Sequence, residues 1–386
     1  RLPLLRVRAM PVPCTNSCRW LRTSEAAFRE MLAAIDAAQD SVRLETYIFA
    51  ADALGEAFRQ ALVRAAQRGV RVRVLIDALG SMNLSASFWE PLSRAGGEFR
   101  WFNPLSLGRL AIRDHRKMLV CDERVAVVGG FNLAAEFQGD GVTSGWRDVG
   151  LTLTGPLVGK LAASFDEMFA RADFRHPPFP RLRRSSAKRT VFGQDCALLL
   201  SGPGRERSPI KAHLLHDLRR ARQVQIMAGY FLPPWRLRRA LMRVARRGGR
   251  VQLMLAGQTD VQLSQLASRG LYQRLLRAGV EIYEYQPRVF HAKLIVLDDI
   301  VYAGSSNLDP RSLHINYELL VRMRSSTLAH EAKEIFAEAL AHCEPIDPQT
   351  WRRSRTFWNK LKERWAHFVL ARLDPYVAQW QLRHLR

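Results

Sequence analysis

The sequence predicts an α/β fold of two homologous domains, each a β-sheet flanked by helices, followed by an amphipathic helical tail. Three observations carry this prediction. Helical apolar periods alternate with short apolar runs of strand length, as in "RQALVRAAQRGVRV" from Arg59. The same ordered series of segments occurs twice. A 386-residue chain that is 47% hydrophobic is long enough for two cores.

The elements follow in order. "SVRLETYIF" from Ser41 is matched by "QVQIMAGYF" from Gln223, both short and apolar. "RQALVRAAQRGVRV" is matched by "RRALMRVARRGGRV" from Arg238, each a helix stopped by glycine and followed by a strand. "RAGGEFRWFNP" from Arg94 is matched by "RAGVEIYEYQP" from Arg277. Each series then reaches His-x-Lys-x4-Asp: "HRKMLVCD" from His115 and "HAKLIVLD" from His291. Matching segments in one order mark a duplication, and the period is too long for a solenoid. The expected boundaries are an N-terminal segment 1–22, a first domain 23–172, a basic Pro-rich linker 173–192, a second domain 193–349 and a tail 350–386.

Composition narrows the partners. A net charge of +23 and 59 Lys+Arg point to a polyanion: an anionic membrane surface or nucleic acid. No apolar run reaches the roughly 18 residues of a membrane span. Cys14 and Cys18 lack a second pair at ligand spacing, so the five cysteines read as free thiols in a reducing compartment, with no metal site and no cofactor. The chain starts with Arg rather than Met, which leaves room for an upstream segment.

The doubled motif carries the chemistry. On a strand, residues i and i+2 share a face, so His115 points with Lys117 and His291 with Lys293. Asp122 and Asp298 complete the two motifs on the other parity, at the strand ends, which favours a turn-holding part over acid or base work. Only 8 of the 59 basic residues are Lys, yet both motifs keep Lys, a compact point charge where Arg is a wide fork. Gly129-Gly130 precedes Asn132 and Gly304 precedes Asn307, giving a close backbone turn and an amide donor for phosphate oxygens. Two His, two Lys and two Asn in one pocket suit phosphodiester exchange: one His attacks phosphorus, the other handles the proton, and Lys and Asn hold the oxyanions.

These residues resemble the phospholipase D superfamily, over the chain through about residue 345. The resemblance implies two phospholipase D-like domains about a pseudo-twofold axis, a shared site, a phosphohistidine intermediate and no metal. By that resemblance His115 is the nucleophile and His291 the acid/base. "GGFNLAAEF", "GWRDVGLTLTGPLV", "GSSNLDPRSLHINYE" and "AGYFLPP" narrow it to bacterial cardiolipin synthases of the short type, without transmembrane segments. The implied reaction transfers a phosphatidyl group between phospholipids, joining two phosphatidylglycerols and releasing glycerol. The family's His-orienting carboxylates fall on Asp148 and Glu318. "AGYFLPP" stands where "TPYFVPD" is commoner, which bears on contacts near Tyr230. The implied place is the periphery of the bacterial inner membrane, on its cytoplasmic face, with no obligatory nucleic acid. A hydrolase with water as acceptor and, less favoured, a nuclease are the alternatives.

In the tail, Trp351, Trp358, Leu361, Trp365 and Phe368 recur at helical spacing, with nine Lys/Arg against two Asp/Glu from Trp351 onward. Pro375 is expected to break this helix from a second one. The aromatic face suits either a bilayer interface or docking on the core.

Overall fold

The computed structural model describes residues 16–104, 112–172, 188–193, 195–204 and 206–373. Cys14, linker residues 173–187 and Pro375 lie outside the described residues.

The first half runs β1 (Ser17–Leu21), α1 (Ser24–Ala37), β2 (Ser41–Thr46), α2 (Ala53–Gln67), β3 (Arg71–Asp77), α3 (Glu90–Arg94), β4 (Glu98–Phe102), β5 (Met118–Cys121), β6 (Val125–Gly129), β7 (Gly150–Thr154) and α4 (Pro156–Ala170). The second half runs β8 (Arg189–Phe192), β9 (Cys196–Ser201), α5 (Pro209–Asp217), β10 (Gln223–Ala228), α6 (Trp235–Arg246), β11 (Arg250–Gln258), α7 (Gln262–Leu276), β12 (Glu281–Val289), β13 (Lys293–Leu297), β14 (Ile300–Gly304), α8 (Pro310–His314), β15 (Glu318–Arg324) and α9 (Ser326–Leu340). After it come β16 (Cys343–Pro345), α10 (Pro348–Ser354) and α11 (Phe357–Phe368).

Local chemistry accounts for the boundaries. Thr23 and Asp52 accept backbone amides at the starts of α1 and α2. The repeated helices α2 and α6 are followed by Gly69 and Gly248 at φ +87° and +88°, a conformation that reverses the chain into the next strand.

Strand order is β1-β7-β6-β5-β2-β3-β4 in the first sheet. The second, β16-β12-β11-β10-β13-β14-β15-β9-β8, repeats that order and adds one strand at each edge. In each, two parallel pairs (β2 with β3, β3 with β4; β10 with β11, β11 with β12) adjoin an antiparallel meander. Helices α1 and α2 cover the outer face of the first sheet, and α5, α6 and α7 that of the second. The inner faces meet in one shared core with α4 and α9, including Val128, Leu151, Phe165, Leu294, Val321 and Phe336. Burying such side chains stabilises by about 1.5–3 kcal/mol each, so the two sheets are held as one body.

Three boundaries differ from expectation. β1 falls inside the expected N-terminal segment, because its backbone completes the edge of β7. The expected linker 173–192 ends earlier, because Arg189–Phe192 is already a strand paired with β9. The tail is not one helix: α10 and α11 are separate, with Thr356 capping the start of α11.

Candidate active site

Both His-x-Lys motifs enter the site just before a strand. β5 begins at Met118 and β13 at Lys293, so the strands expected to include both His start later. The preceding residues make isolated bridges across the domain boundary instead. His115 N donates to Tyr317 O at 3.0 Å, and His291 N donates to Arg147 O at 2.9 Å. Parity survives: Lys117 Nζ donates to His115 O at 2.7 Å, and Lys293 Nζ reaches the ring nitrogens of His291 at 2.9 and 3.1 Å.

These crossings bring the halves together at a cavity of about 380 Å³. His115, His291, Asn132 and Asn307 all line it. That volume lies within the usual range for a small-molecule site. Lys117 and Lys293, each 3% exposed, sit behind the histidines rather than in the lining.

Each histidine is held by a carboxylate from the other half. His115 Nδ1 lies 3.0 Å from Glu318, and His291 Nδ1 lies 2.6 Å from Asp148. Both carboxylates are fully buried. An ionised carboxylate on Nδ1 keeps the proton there and leaves Nε2 with its lone pair. Gly130 makes room for this arrangement: a Cβ there would meet an Asp148 carboxylate oxygen at 2.5 Å. Ser305 Oγ donates to Glu318 and accepts from Leu319 N, which fixes that carboxylate.

Burial dominates the electrostatics. It pushes His115 well below its ordinary value, and Lys117 and Lys293 add to the shift. His291 falls to about 4, through burial and then Lys293, with Asp148 pulling the other way. Burial lowers Lys117 to about 7 and raises Glu318 to about 8, each opposed by the other's charge. Both imidazoles are therefore held neutral, with Nε2 able to act as nucleophile or base. An anionic phosphodiester would offset the lysines.

Asn132 Oδ1 accepts from Ile48 N at 3.2 Å, which turns its amide NH₂ to other partners. Asn307 Oδ1 is buried with no hydrogen-bond partner among the described residues. Asp122 and Asp298 are not in the lining. At φ +55° and +54° they follow β5 and β13 and accept backbone amides: Gln39, Asp40 and Ser41 for Asp122, Arg222 and Gln223 for Asp298. Though part of the two catalytic His-x-Lys-x4-Asp motifs, they hold the strand ends and do not line the cavity, which fits their strand-end parity.

Sequence reasoning missed several residues. Tyr47 packs 5.0 Å from the His115 ring. Phe137, Trp146 and Tyr230 surround His291 at 5.2, 5.7 and 6.1 Å. Tyr230 Oη donates to Asp260 at 2.6 Å, and both line the cavity. Arg113 and Arg311 line another part of it. Tyr47 and Tyr230 stand in the repeated "ETYIF" and "MAGYF", but at offset positions, so the repeat itself does not pair them. Also unforeseen is a buried charged cluster next to Lys117. Glu45 lies 3.1 Å from Arg116, and Asp114 Oδ1 accepts from Arg116 N at 3.2 Å. Burial raises both carboxyl groups, Glu45 strongly.

Two domains of one strand order, each giving a His-Lys pair to a shared cavity, define a phosphodiester-transfer enzyme of the phospholipase D-like class. A family model described as "Cardiolipin synthase, PLD-like domain" matches residues 31–169 and 214–340. The chain is 34% identical over 381 residues to cardiolipin synthase B of Escherichia coli K12, covering 96% of this chain and 91% of that one. It is 30% identical over 370 residues to a cardiolipin synthase of Geobacillus kaustophilus, covering 91% and 72%. The solved phosphatidylserine synthase of Haemophilus influenzae shares the fold with a TM-score of 0.72 at 14% identity, covering 94% of each chain. The chain belongs to the cardiolipin synthase family, whose enzymes are phosphatidyltransferases.

Proposed function

We propose that this phosphatidyltransferase joins two phosphatidylglycerols into cardiolipin and glycerol at an anionic membrane surface, on the cytoplasmic face of the inner membrane. The observation that carries the reading is the crossed pair of contacts, Glu318 on His115 and Asp148 on His291, at one cavity.

His115 Nε2 attacks the phosphorus of the first lipid. His291, protonated once the phosphate is bound, gives its proton to the glycerol oxygen as the P–O bond breaks. Glycerol leaves and the phosphatidyl group stays on His115. His291 Nε2 then takes the proton from a hydroxyl of the second phosphatidylglycerol. That oxygen attacks phosphorus, the P–N bond breaks, and cardiolipin leaves with His115 restored. Lys117 and Lys293, from behind the histidines, offset the charge that builds on the nonbridging oxygens, and the amides of Asn132 and Asn307 donate to those oxygens. Asp122 and Asp298 keep the strand ends in place.

Water in the acceptor's position turns the same intermediate into phosphatidic acid, so the acceptor decides between transfer and hydrolysis. The test incubates the protein with phosphatidylglycerol vesicles, and separately with single-stranded DNA, and identifies products by mass. Cardiolipin and glycerol in equal amounts are expected. Phosphatidic acid alone makes the protein a hydrolase. Cut DNA with intact lipid overturns the proposal.

A further inference from the structure

Of the ten large apolar side chains exposed among the described residues, six fall between Phe357 and Leu373. Scattered singly they would need no account, but here they form one stripe. At about 100° per residue, Phe357, Phe368, Leu361, Trp365 and Trp358 fall within an arc of about 100° on α11. Trp358 is 68% and Trp365 61% exposed, while Ala366 and Glu363, on the opposite side, are buried.

That opposite side is how α11 docks. It lies along α7, where Gly270 faces Glu363. Glu363 pairs with Arg355, whose guanidinium stacks 4.3 Å over Trp351, and Trp351 in turn packs 5.0 Å from Tyr272. Of the tail's aromatic residues among the described residues, Trp351 is thus used for docking, while Phe357, Trp358, Trp365 and Phe368 are turned away. The exposed stripe has cations on both flanks: Lys360 and Arg364 on one, Lys362 on the other, all exposed. A helix meant to meet another protein core has no use for a cationic border on both sides. One meant for a layer of anionic headgroups over acyl chains does. Past its C-terminus, the turn Val369–Leu373 places Leu370 in the lining of the catalytic cavity.

We propose that α11 is an interfacial membrane anchor. Its aromatic stripe enters the headgroup and upper acyl layer of an anionic phospholipid surface. Lys360, Lys362 and Arg364 meet the lipid phosphates, and the cavity mouth at Leu370 is set against the surface that supplies the substrate. The link to substrate delivery rests on the proposed function; the lipid binding does not, because it is read without turnover.

The test uses the full chain and vesicles of phosphatidylcholine with roughly one-third phosphatidylglycerol. Wild type is expected to float with them and not with pure phosphatidylcholine. Trp358→Ser/Trp365→Ser/Phe368→Ser should lower the floated fraction about tenfold. Lys360→Glu/Lys362→Glu/Arg364→Glu should remove the preference for anionic vesicles. With both sets, kcat/KM on vesicle lipid should fall about tenfold, while kcat/KM on a short-chain monomeric phosphatidylglycerol stays within about twofold. Flotation of both variants at the wild-type level overturns the proposal. So does a wild-type dimer in light scattering that the aromatic variant abolishes while vesicle binding is absent, because the stripe would then be covered by a second copy. Vesicle binding without any cardiolipin formed leaves the anchor standing and refutes the proposed reaction.

Discussion

Around Lys117 the first half places Glu45, Asp114 and Arg116, all buried and charged. At the equivalent positions around Lys293 the second half has Met227, Phe290 and Ala292, all part of the shared apolar core. The equivalence is one of register: Glu45 pairs with Met118, three residues after His115, and Met227 pairs with Leu294, three residues after His291. The rims of the two halves nonetheless match closely, with His, Lys, Asn, a crossed carboxylate and a crossed backbone bond in each. Chemistry at phosphorus needs paired groups at the rim, so the rim is held. What lies behind it needs only to fill space and satisfy charge, so it diverged. The divergence also gives the two histidines different fields, as two different roles in one reaction require.

The comparison is broken most severely at the histidines. His115→Ala and His291→Ala should each lower kcat by about 10⁴-fold or more, measured as cardiolipin formed per enzyme. The pair also separates the roles. With lipid labelled at phosphorus, His291→Ala should accumulate label on His115 in an alkali-denatured digest, where a P–N bond survives, whereas His115→Ala should carry none on His291. Label on His291 alone would reverse the assignment.

The crossed carboxylates come next. Glu318→Gln and Asp148→Asn should each cost about 10²–10³-fold in kcat with little change in KM, since each sets a tautomer rather than a contact to lipid. A rise in KM with kcat unchanged would show that they bind substrate instead.

A stability measurement sharpens the difference behind the rim. Glu45→Met leaves the buried Arg116 charge without its carboxylate, with Ser164 still accepting from it, and should lower unfolding stability by about 3–5 kcal/mol in urea titrations. Adding Asp114→Phe and Arg116→Ala, which copies the second half, should recover most of that loss. If the single change is neutral, the cluster is not a unit.

The smallest expected effect is in the pH profile. As pH rises through about 7, Lys117 loses its proton, and through about 8 so does Glu318. The Lys117 step removes a positive charge, so kcat/KM for an anionic lipid should fall through about pH 7; the Glu318 step ionises the carboxylate that holds the His115 proton on Nδ1, so the fall should level off through about pH 8. Lys117→Arg stays charged and should lose the lower step, at a cost of about 10-fold in kcat/KM because the guanidinium is wider than the buried slot. A profile flat to pH 9 in wild type would remove Lys117 from the account.

The residues that meet in the cavity were legible where the duplication spelled them twice. His115, His291, Asn132 and Asn307 stand at matching positions, and chance rarely repeats a pattern in place. Asp148 and Glu318 came only through family resemblance, because their partners lie across the domain boundary and no local period encodes a contact between halves. The Glu45 cluster left one unread sign: a Glu inside a strand whose counterpart carries Met. β1 and β8 escaped because edge strands draw their pairing from a distant neighbour rather than from their own composition. The exposed stripe of α11 was visible as periodicity, but which of its two faces docks depends on Gly270 and Tyr272, far away in the chain.

The exchange of carboxylates across the boundary has a consequence for the life of the chain. A nascent first half carries His115 and Lys117 but not Glu318, and Asp148 has no imidazole to hold. The backbone bonds that seat the two histidines are likewise missing until Tyr317 meets His115 and Arg147 meets His291. Assembly therefore works as an interlock. No fragment holds an armed nucleophile, and the capacity to cut a phosphodiester arrives only with the last strands of the second sheet.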